Sequence, residues 1–243
     1  MSSPKLATAA KPDDDALAPL RNAPADRPFV VAQLGQSLDG RIATTSGESR
    51  WINHHCALDH LHALRANVDA VVVGVGTVLA DDPRLNVRRV PGRSPARVVI
   101  DPSGKLPANA VCVKGDDAAR YVVRTEQGPC PAGVETIVVP RTAEHLSPQA
   151  IVEALFARGL KRLLIEGGAW TVSSFIAARA VDRLHLLVAP VILGSGKSGL
   201  SLPPIERLGD ALRPATRVHI LADGDVLFDC DLRSQGTRAL EEG

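Results

Sequence analysis

The sequence predicts an α/β domain: a mostly parallel sheet with flanking helices and an antiparallel C-terminal hairpin. Three observations carry this. The apolar run at 69–75 is continuous rather than alternating, the mark of a strand covered on both faces. Leu58, Leu61, Leu64 and Val68 recur at helical spacing just before it. Near the end, residues 216–222 and 225–232 alternate around Asp223-Gly224, a hairpin turn signal.

Residues 1–27 are rich in Ala, Pro and Asp, without apolar period, and are expected to form a flexible N-terminal leader. The domain then spans 28–232, and 233–243 form a C-terminal tail. Its first strand covers 29–36, and the serines and glycines from Ser37 to Ser49 read as one long functional turn. Asn53 is the expected N-cap of the leucine-bearing helix. After the strand at 69–75, Pro83 stops any long helix. Strands are expected at 97–101, 120–124 and 136–139. Ser147 or Pro148 starts a helix through Arg158, which Gly159 closes. A strand at 161–166 leads into Gly167-Gly168 and a helix through Ala178, and 182–193 reads as one long strand.

Composition narrows the function. A formal charge of +1 makes no case for nucleic acid or an anionic membrane, so a basic residue that matters acts locally on a small anion. Cys56, Cys112, Cys130 and Cys230 form no C-x-x-C pair, which suits reduced thiols rather than a disulfide frame or a zinc site. No apolar run approaches membrane-spanning length, and a soluble, cytoplasmic protein is expected.

Several motifs fail on inspection. Gly74-x-Gly76 follows a strand, yet Leu79 takes the third glycine's place and Pro83 ends the helix, so a Rossmann unit is excluded. A glycine turn approaching a nucleotide remains. Residues 194–198 (Gly-Ser-Gly-Lys-Ser) lack the P-loop's first glycine, Val191 standing there, and read as a mobile basic loop. His55, Asp59 and His62 share a helix face, but without H-E-x-x-H they read as a solvated face, and no metal is expected. No Gly-x-Ser-x-Gly elbow supports serine hydrolysis.

Two features point to a site. Glu166-Gly167-Gly168 sits where a strand meets a helix, either as an anion site at the helix N-terminus or as a glycine corner with a solvated Glu. Arg65, Arg84 and Arg88 suit bidentate phosphate binding, with Asp81-Asp82 beside them suited to sugar hydroxyls or cofactor amides.

Taken together, Ser37-Leu38-Asp39-Gly40-Arg41, Gly47-Glu48-Ser49-Arg50-Trp51, Arg65-Ala66, the run from Val73 to Leu85 with its Gly74-Val75-Gly76-Thr77 and Ala80-Asp81-Asp82-Pro83, Glu166-Gly167-Gly168 and Ala189-Pro190 resemble the reductase domain of riboflavin biosynthesis. The resemblance runs over residues 28–232. It implies a dihydrofolate-reductase-like fold, NADPH as hydride donor, a homodimer, and reduction of a ribosylaminopyrimidine 5′-phosphate to its ribitylamino product. On the same resemblance Gly35, Trp51, Thr77, Asp81 and the segment Gly168, Ala169, Trp170, Thr171, Val172, Ser173 and Ser174 fall on cofactor contacts. Ser49, Arg65, Leu85, Arg88 and Glu166 fall on substrate contacts, the arginines toward the 5′-phosphate. No catalytic residue is singled out; Gln33 and Glu166 stand nearest the role.

Two departures bear on chemistry. The zinc-deaminase motifs that many bacterial members carry are absent. Gln33 also stands where the bifunctional type has lysine, as in stand-alone members, whose Arg-Ala-Asn-Val-Asp run resembles residues 65–69. The substrate is thus the diaminopyrimidinone before deamination, the aminopyrimidinedione after it, or a related pterin or pyrimidine. A non-catalytic nucleotide-binding partner of a separate deaminase is the alternative from another class.

Overall fold

The central strands form where β-branched and apolar residues run without interruption, and those runs are buried on both faces. The structure, a computed structural model, describes residues 15–142 and 145–235. The first half of the chain forms α1 (Ala18–Arg21), β1 (Phe29–Ser37), β2 (Arg41–Thr44), α2 (His55–Asn67), β3 (Ala70–Gly74) and α3 (Val75–Asp81). It continues through β4 (Ala96–Ile100), β5 (Arg120–Arg124), β6 (Glu135–Val138), β7 (Arg141–Thr142) and β8 (His145–Leu146). The rest comprises α4 (Pro148–Phe156), β9 (Arg162–Ile165), α5 (Ala169–Ala177), β10 (Arg183–Ala189), β11 (Gly196–Ser198), β12 (Pro214–Ile220) and β13 (Val226–Gln235).

The main sheet runs β12-β13-β10-β1-β9-β3-β4-β5-β6. From β10 to β6 every pairing is parallel, and β13 and β12 are antiparallel. Strand alternation divides the core into two layers. Val30, Ala32, Val72 and Ile165 face α4 and α5 through Ile151, Leu155, Val172 and Phe175. Val31, Val71, Val73 and Leu164 face α1, α2 and α3 through Leu20, Leu64 and Val78. The expected architecture is therefore the observed one.

Several boundaries differ, each because a distant segment decides. The leader does not extend to residue 27: Leu17 and Leu20 are buried in the second layer, which makes 15–27 part of the domain. Residues 1–14 lie outside the described residues. The long turn at 37–49 contains β2, which pairs antiparallel with β11, so the basic loop at 194–198 is partly a strand. The long strand expected at 182–193 ends at Ala189, while β13 runs to Gln235, beyond the expected end at 232. Asn53 is not the cap of α2. The N-cap is His54, without a side-chain cap, and the amides at the helix start donate instead to carboxylates of the hairpin turn. Asp225 Oδ2 accepts from the His54 N–H at 2.7 Å and Asp223 Oδ2 from the Cys56 N–H at 2.6 Å.

Where β10 and β13 meet α2, a buried polar chain replaces apolar packing. His60 Nε2 lies 2.9 Å from His185 Nδ1, and His185 Nε2 lies 3.3 Å from Asp229 Oδ1. Burial, then the neighbouring His185 and His219, push His60 from 6.5 down to about 3. Its folded pKa is below its unfolded one. Between those values the unfolded chain therefore binds a proton that the folded chain refuses, and stability falls as pH is lowered from 6.5. In urea unfolding, wild type should lose up to about 2 kcal/mol more than His60→Leu between pH 7 and pH 5. Equal losses would remove His60 from the acid response.

Candidate active site

Parallel strands end at one rim, where the next element turns away and backbone groups are left open. Here β1, β3, β4 and β9 end around a cavity of about 1150 Å³ whose wall includes Gly35, Gly74, Ile100 and Glu166. Single small-ligand pockets are about 300–1,000 Å³, so this one is larger than most.

One wall is built from glycine. Gly167 has φ +104, and a Cβ there would lie 2.7 Å from Thr77 Oγ1. That hydroxyl accepts the Gly168 N–H at 3.0 Å, tying the start of α5 to α3. No side chain caps the N-terminus of α5, and its first residues, Gly168 to Thr171, line the cavity. On the opposite side Gly35 is needed for close approach, because a Cβ would fall 2.1 Å from Asn53 Oδ1. Trp51, 76% exposed and at φ +72, and Trp170, 60% exposed on α5, both line the cavity. A bulky residue held at positive φ is a strained position of the kind that clusters at ligand sites.

The polar corner is organised by one ion pair. Arg65 Nε donates to Glu166 Oε1 at 2.7 Å and Nη2 to Oε2 at 2.6 Å, with Arg65 6% and Glu166 5% exposed. Arg65 Nη1 donates to the Asn86 carbonyl at 3.1 Å. Burial alone would lower the Arg65 pKa; the Glu166 charge and hydrogen bonds outweigh that and raise it. Arg88, by contrast, is exposed and lines the cavity, with Nη1 donating to Asn86 Oδ1 at 3.0 Å. Burial, then the charges of Arg65, Arg84 and Arg89, push its pKa down. Crowded guanidiniums of this kind are relieved by an anion.

Of the expected residues, Gln33, Gly35, Ser49, Trp51, Thr77, Asp81, Arg88, Glu166, Gly168, Ala169, Trp170, Thr171 and Ser174 all line this one cavity. Arg65, Leu85, Val172 and Ser173 do not. Arg65 is committed to Glu166, so it stands behind the wall. Leu85 and Val172 are core, and Ser173 Oγ accepts the Ser201 N–H. Glu166 is buried and paired, so the reading of this corner as a glycine turn with a solvated Glu is wrong. Asp82 is structural, since its Oδ1 accepts the Val111 N–H at 2.8 Å. Asp39 ties the β1–β2 turn to the later loop through the Leu193 and Gly194 amides. The Ser37 hydroxyl, then those amides, hold its carboxyl down to about 2.

Sequence reasoning missed Asn53, Lys197 and Ser198 as cavity residues, because only the β2–β11 pairing and the hairpin turn bring them there. It also took His62 for a solvated residue. His62 is 2% exposed, and its Nδ1 accepts the Arg88 N–H at 3.1 Å. Its spacing of three from Arg65 was the available signal.

The family model described as RibD C-terminal domain matches residues 28–222. The 2,5-diamino-6-ribosylamino-4(3H)-pyrimidinone 5′-phosphate reductase of Methanothermobacter thermautotrophicus is 35% identical over 198 residues, 77% of this chain and 90% of that protein. The riboflavin biosynthesis protein RibD of Aquifex aeolicus is 32% identical over 179 residues, 71% of this chain and 49% of that protein. A solved structure, the diaminohydroxyphosphoribosylaminopyrimidine deaminase/5-amino-6-(5-phosphoribosylamino)uracil reductase of Thermotoga maritima, matches with a TM-score of 0.72 at 29% identity. It covers 85% of this chain and 57% of that one. The chain thus spans most of the first relative and about half of the two longer ones. The sheet topology, the glycine-walled cavity and a match running through nearly all of the described domain agree, and the chain belongs to the RibD C-terminal domain family.

Proposed function

We propose that this protein is an NADPH-dependent reductase that converts the ribosyl group of 2,5-diamino-6-ribosylamino-4(3H)-pyrimidinone 5′-phosphate to ribityl. The observation that carries the reading is the pairing of a glycine-walled, helix-ended cavity with Arg88, which lines it at its polar corner beside Arg84. Similarity across 90% of a stand-alone reductase of that name supports the diamino substrate. So does Gln33, which lines the cavity as a neutral amide.

The residues present fit a phosphate-bearing dinucleotide. The uncapped start of α5, the Gly167–Gly168 wall, Thr77, Asp81 and the two tryptophans supply amide donors, close approach and flat surface. NADPH, when bound, supplies the hydride for the sugar carbon C1′. Arg88 holds the substrate phosphate, with Arg84 on the same wall adding positive charge. Glu166, fixed in place by Arg65, accepts hydrogen bonds from the substrate, and Gln33 and Ser49 orient it. The chain's contribution is orientation in a partly enclosed site.

Arg88→Ala should raise the substrate KM about 10- to 100-fold, the size of a lost charged hydrogen bond, with the NADPH KM nearly unchanged. An unchanged substrate KM would remove the phosphate role. Substrate choice is read from NADPH absorbance with each ribosylaminopyrimidine phosphate added separately. Oxidation with the diamino compound alone supports the proposal, and oxidation with the deaminated compound alone places the enzyme after a deaminase. Cofactor binding without oxidation of either would favour a non-catalytic partner or a pterin reductase. The same reading makes the protein a cytoplasmic homodimer. The edge strand β12, with Val218 and Ile220 exposed, supports pairing with a second copy, which light scattering tests.

A further inference from the structure

The segment that carries Arg88 is held by a polar stripe on α2. Asp59, His62 and Arg65 stand three residues apart and share one helix face. Each meets a different residue of the segment 86–89, which runs past the helix in the opposite direction. Asp59 Oδ1 accepts from Arg89 Nε at 2.6 Å, His62 Nδ1 from the Arg88 N–H at 3.1 Å, and Arg65 Nη1 donates to the Asn86 carbonyl at 3.1 Å. The Val87 N–H goes to Ser94 Oγ at 3.2 Å. The three contacts are unequal. Asp59 and Arg89 are exposed enough for their pair to count for little. Arg65 serves Glu166 first. His62, buried like Arg65, is the one of the three that meets the backbone N–H of Arg88 itself.

We infer that His62 is a positioning residue for phosphate recognition: its neutral imidazole, as an acceptor at Nδ1, sets the Arg88 backbone so that the guanidinium faces the cavity. The inference rests on the phosphate role proposed for Arg88. Accepting at Nδ1 puts the imidazole proton on Nε2. Lysine or arginine at this place would offer only donors to a donor. The charged groups around His62 are Arg65 and Asp59 from α2, with Arg88 and Arg89 from the segment. Burial, then the three guanidiniums, lower its pKa from 6.5 to about 4, against the opposing effect of Asp59, so it stays an acceptor at neutral pH. Fixing the backbone matters because a long side chain reaching a phosphate loses affinity when its root wanders.

The test is a double-substitution cycle on the full chain, read by turnover and by calorimetric binding of ribose 5-phosphate as the probe. His62→Leu should weaken probe binding and raise the substrate KM about tenfold, as expected for an orphaned, part-buried N–H and a displaced arginine. The NADPH Kd should stay within about twofold of wild type by the same principle of local effect. His62→Asn, whose side-chain oxygen can replace Nδ1, should recover most of the loss. In an Arg88→Ala background, His62→Leu should cost nothing further.

Additive losses in the cycle, or equal losses of cofactor and probe, would reduce His62 to general packing. If His62→Leu fails to fold, the Asn variant decides alone: affinity near wild type supports the inference, and a full tenfold loss overturns it. Wild type that binds no probe and turns over no phosphorylated pyrimidine would instead defeat the functional reading. Wild type that does both, with His62→Leu matching it, would defeat only the positioning role.

Discussion

Replacing Arg65 by methionine is expected to lower stability by about 3–5 kcal/mol, the range for removing one partner of a buried ion pair. Both partners are almost fully enclosed, and both guanidinium–carboxylate bonds are short. Methionine would leave the Glu166 carboxylate without its counter-charge and the Asn86 carbonyl without its donor. The double substitution Arg65→Met with Glu166→Leu should recover much of that loss, because a buried pair is worth little against apolar side chains of similar volume. Activity should not return with it, since Glu166 lines the cavity. Urea unfolding of the two variants, alongside turnover, checks both halves. A single substitution costing less than about 1 kcal/mol would mean that water reaches the pair.

Gly167→Ala should weaken cofactor binding about a hundredfold, through backbone strain of about 1–3 kcal/mol and a lost hydrogen bond. At φ +104 the backbone is one that side chains rarely adopt, and the new Cβ would meet Thr77 at Oγ1, Cγ2 and Cβ together. A β-branched residue has little rotamer freedom with which to yield. Thr77 must therefore shift and release the Gly168 amide, which moves the start of α5. The two tryptophans of the chain, Trp51 and Trp170, both line the cavity, so their fluorescence would report binding of the proposed cofactor. Thr77→Val, which keeps the shape and removes the hydroxyl, should cost about tenfold or less. Unchanged cofactor affinity in Gly167→Ala would mean that the glycine wall does not hold the dinucleotide.

Much of this was legible in the chain. The continuous apolar run at 69–75 marked a doubly covered strand, and β3 is one. Ser147 followed by Pro148 marked a helix start, and Ser147 Oγ does accept the Ala150 N–H. Asp223-Gly224 marked the hairpin turn, with Gly224 at φ +99. These signals are local: propensity, capping and turn chemistry act within a few residues. The errors share the opposite property. β2 forms because β11 arrives beside it from more than 150 residues on. The amides of α2 are capped by Asp223 and Asp225 rather than by Asn53. Leu17 and Leu20 look like part of an unstructured leader until α1 folds them onto the second core layer.

The sequence by itself determined the α/β class, most of the strand and helix order, and the residue types gathered at the cavity: glycines, arginines and carboxylates in a recognisable order. Only the tertiary structure decided which of those groups is available to a ligand. Arg65 and Arg88 are equally plausible phosphate partners as written in the chain. Folding brings Glu166, 101 residues away, onto Arg65 and leaves Arg88 facing the cavity. A guanidinium's role depends on which opposite charge reaches it first, and that is a property of packing in space, not of position along the chain.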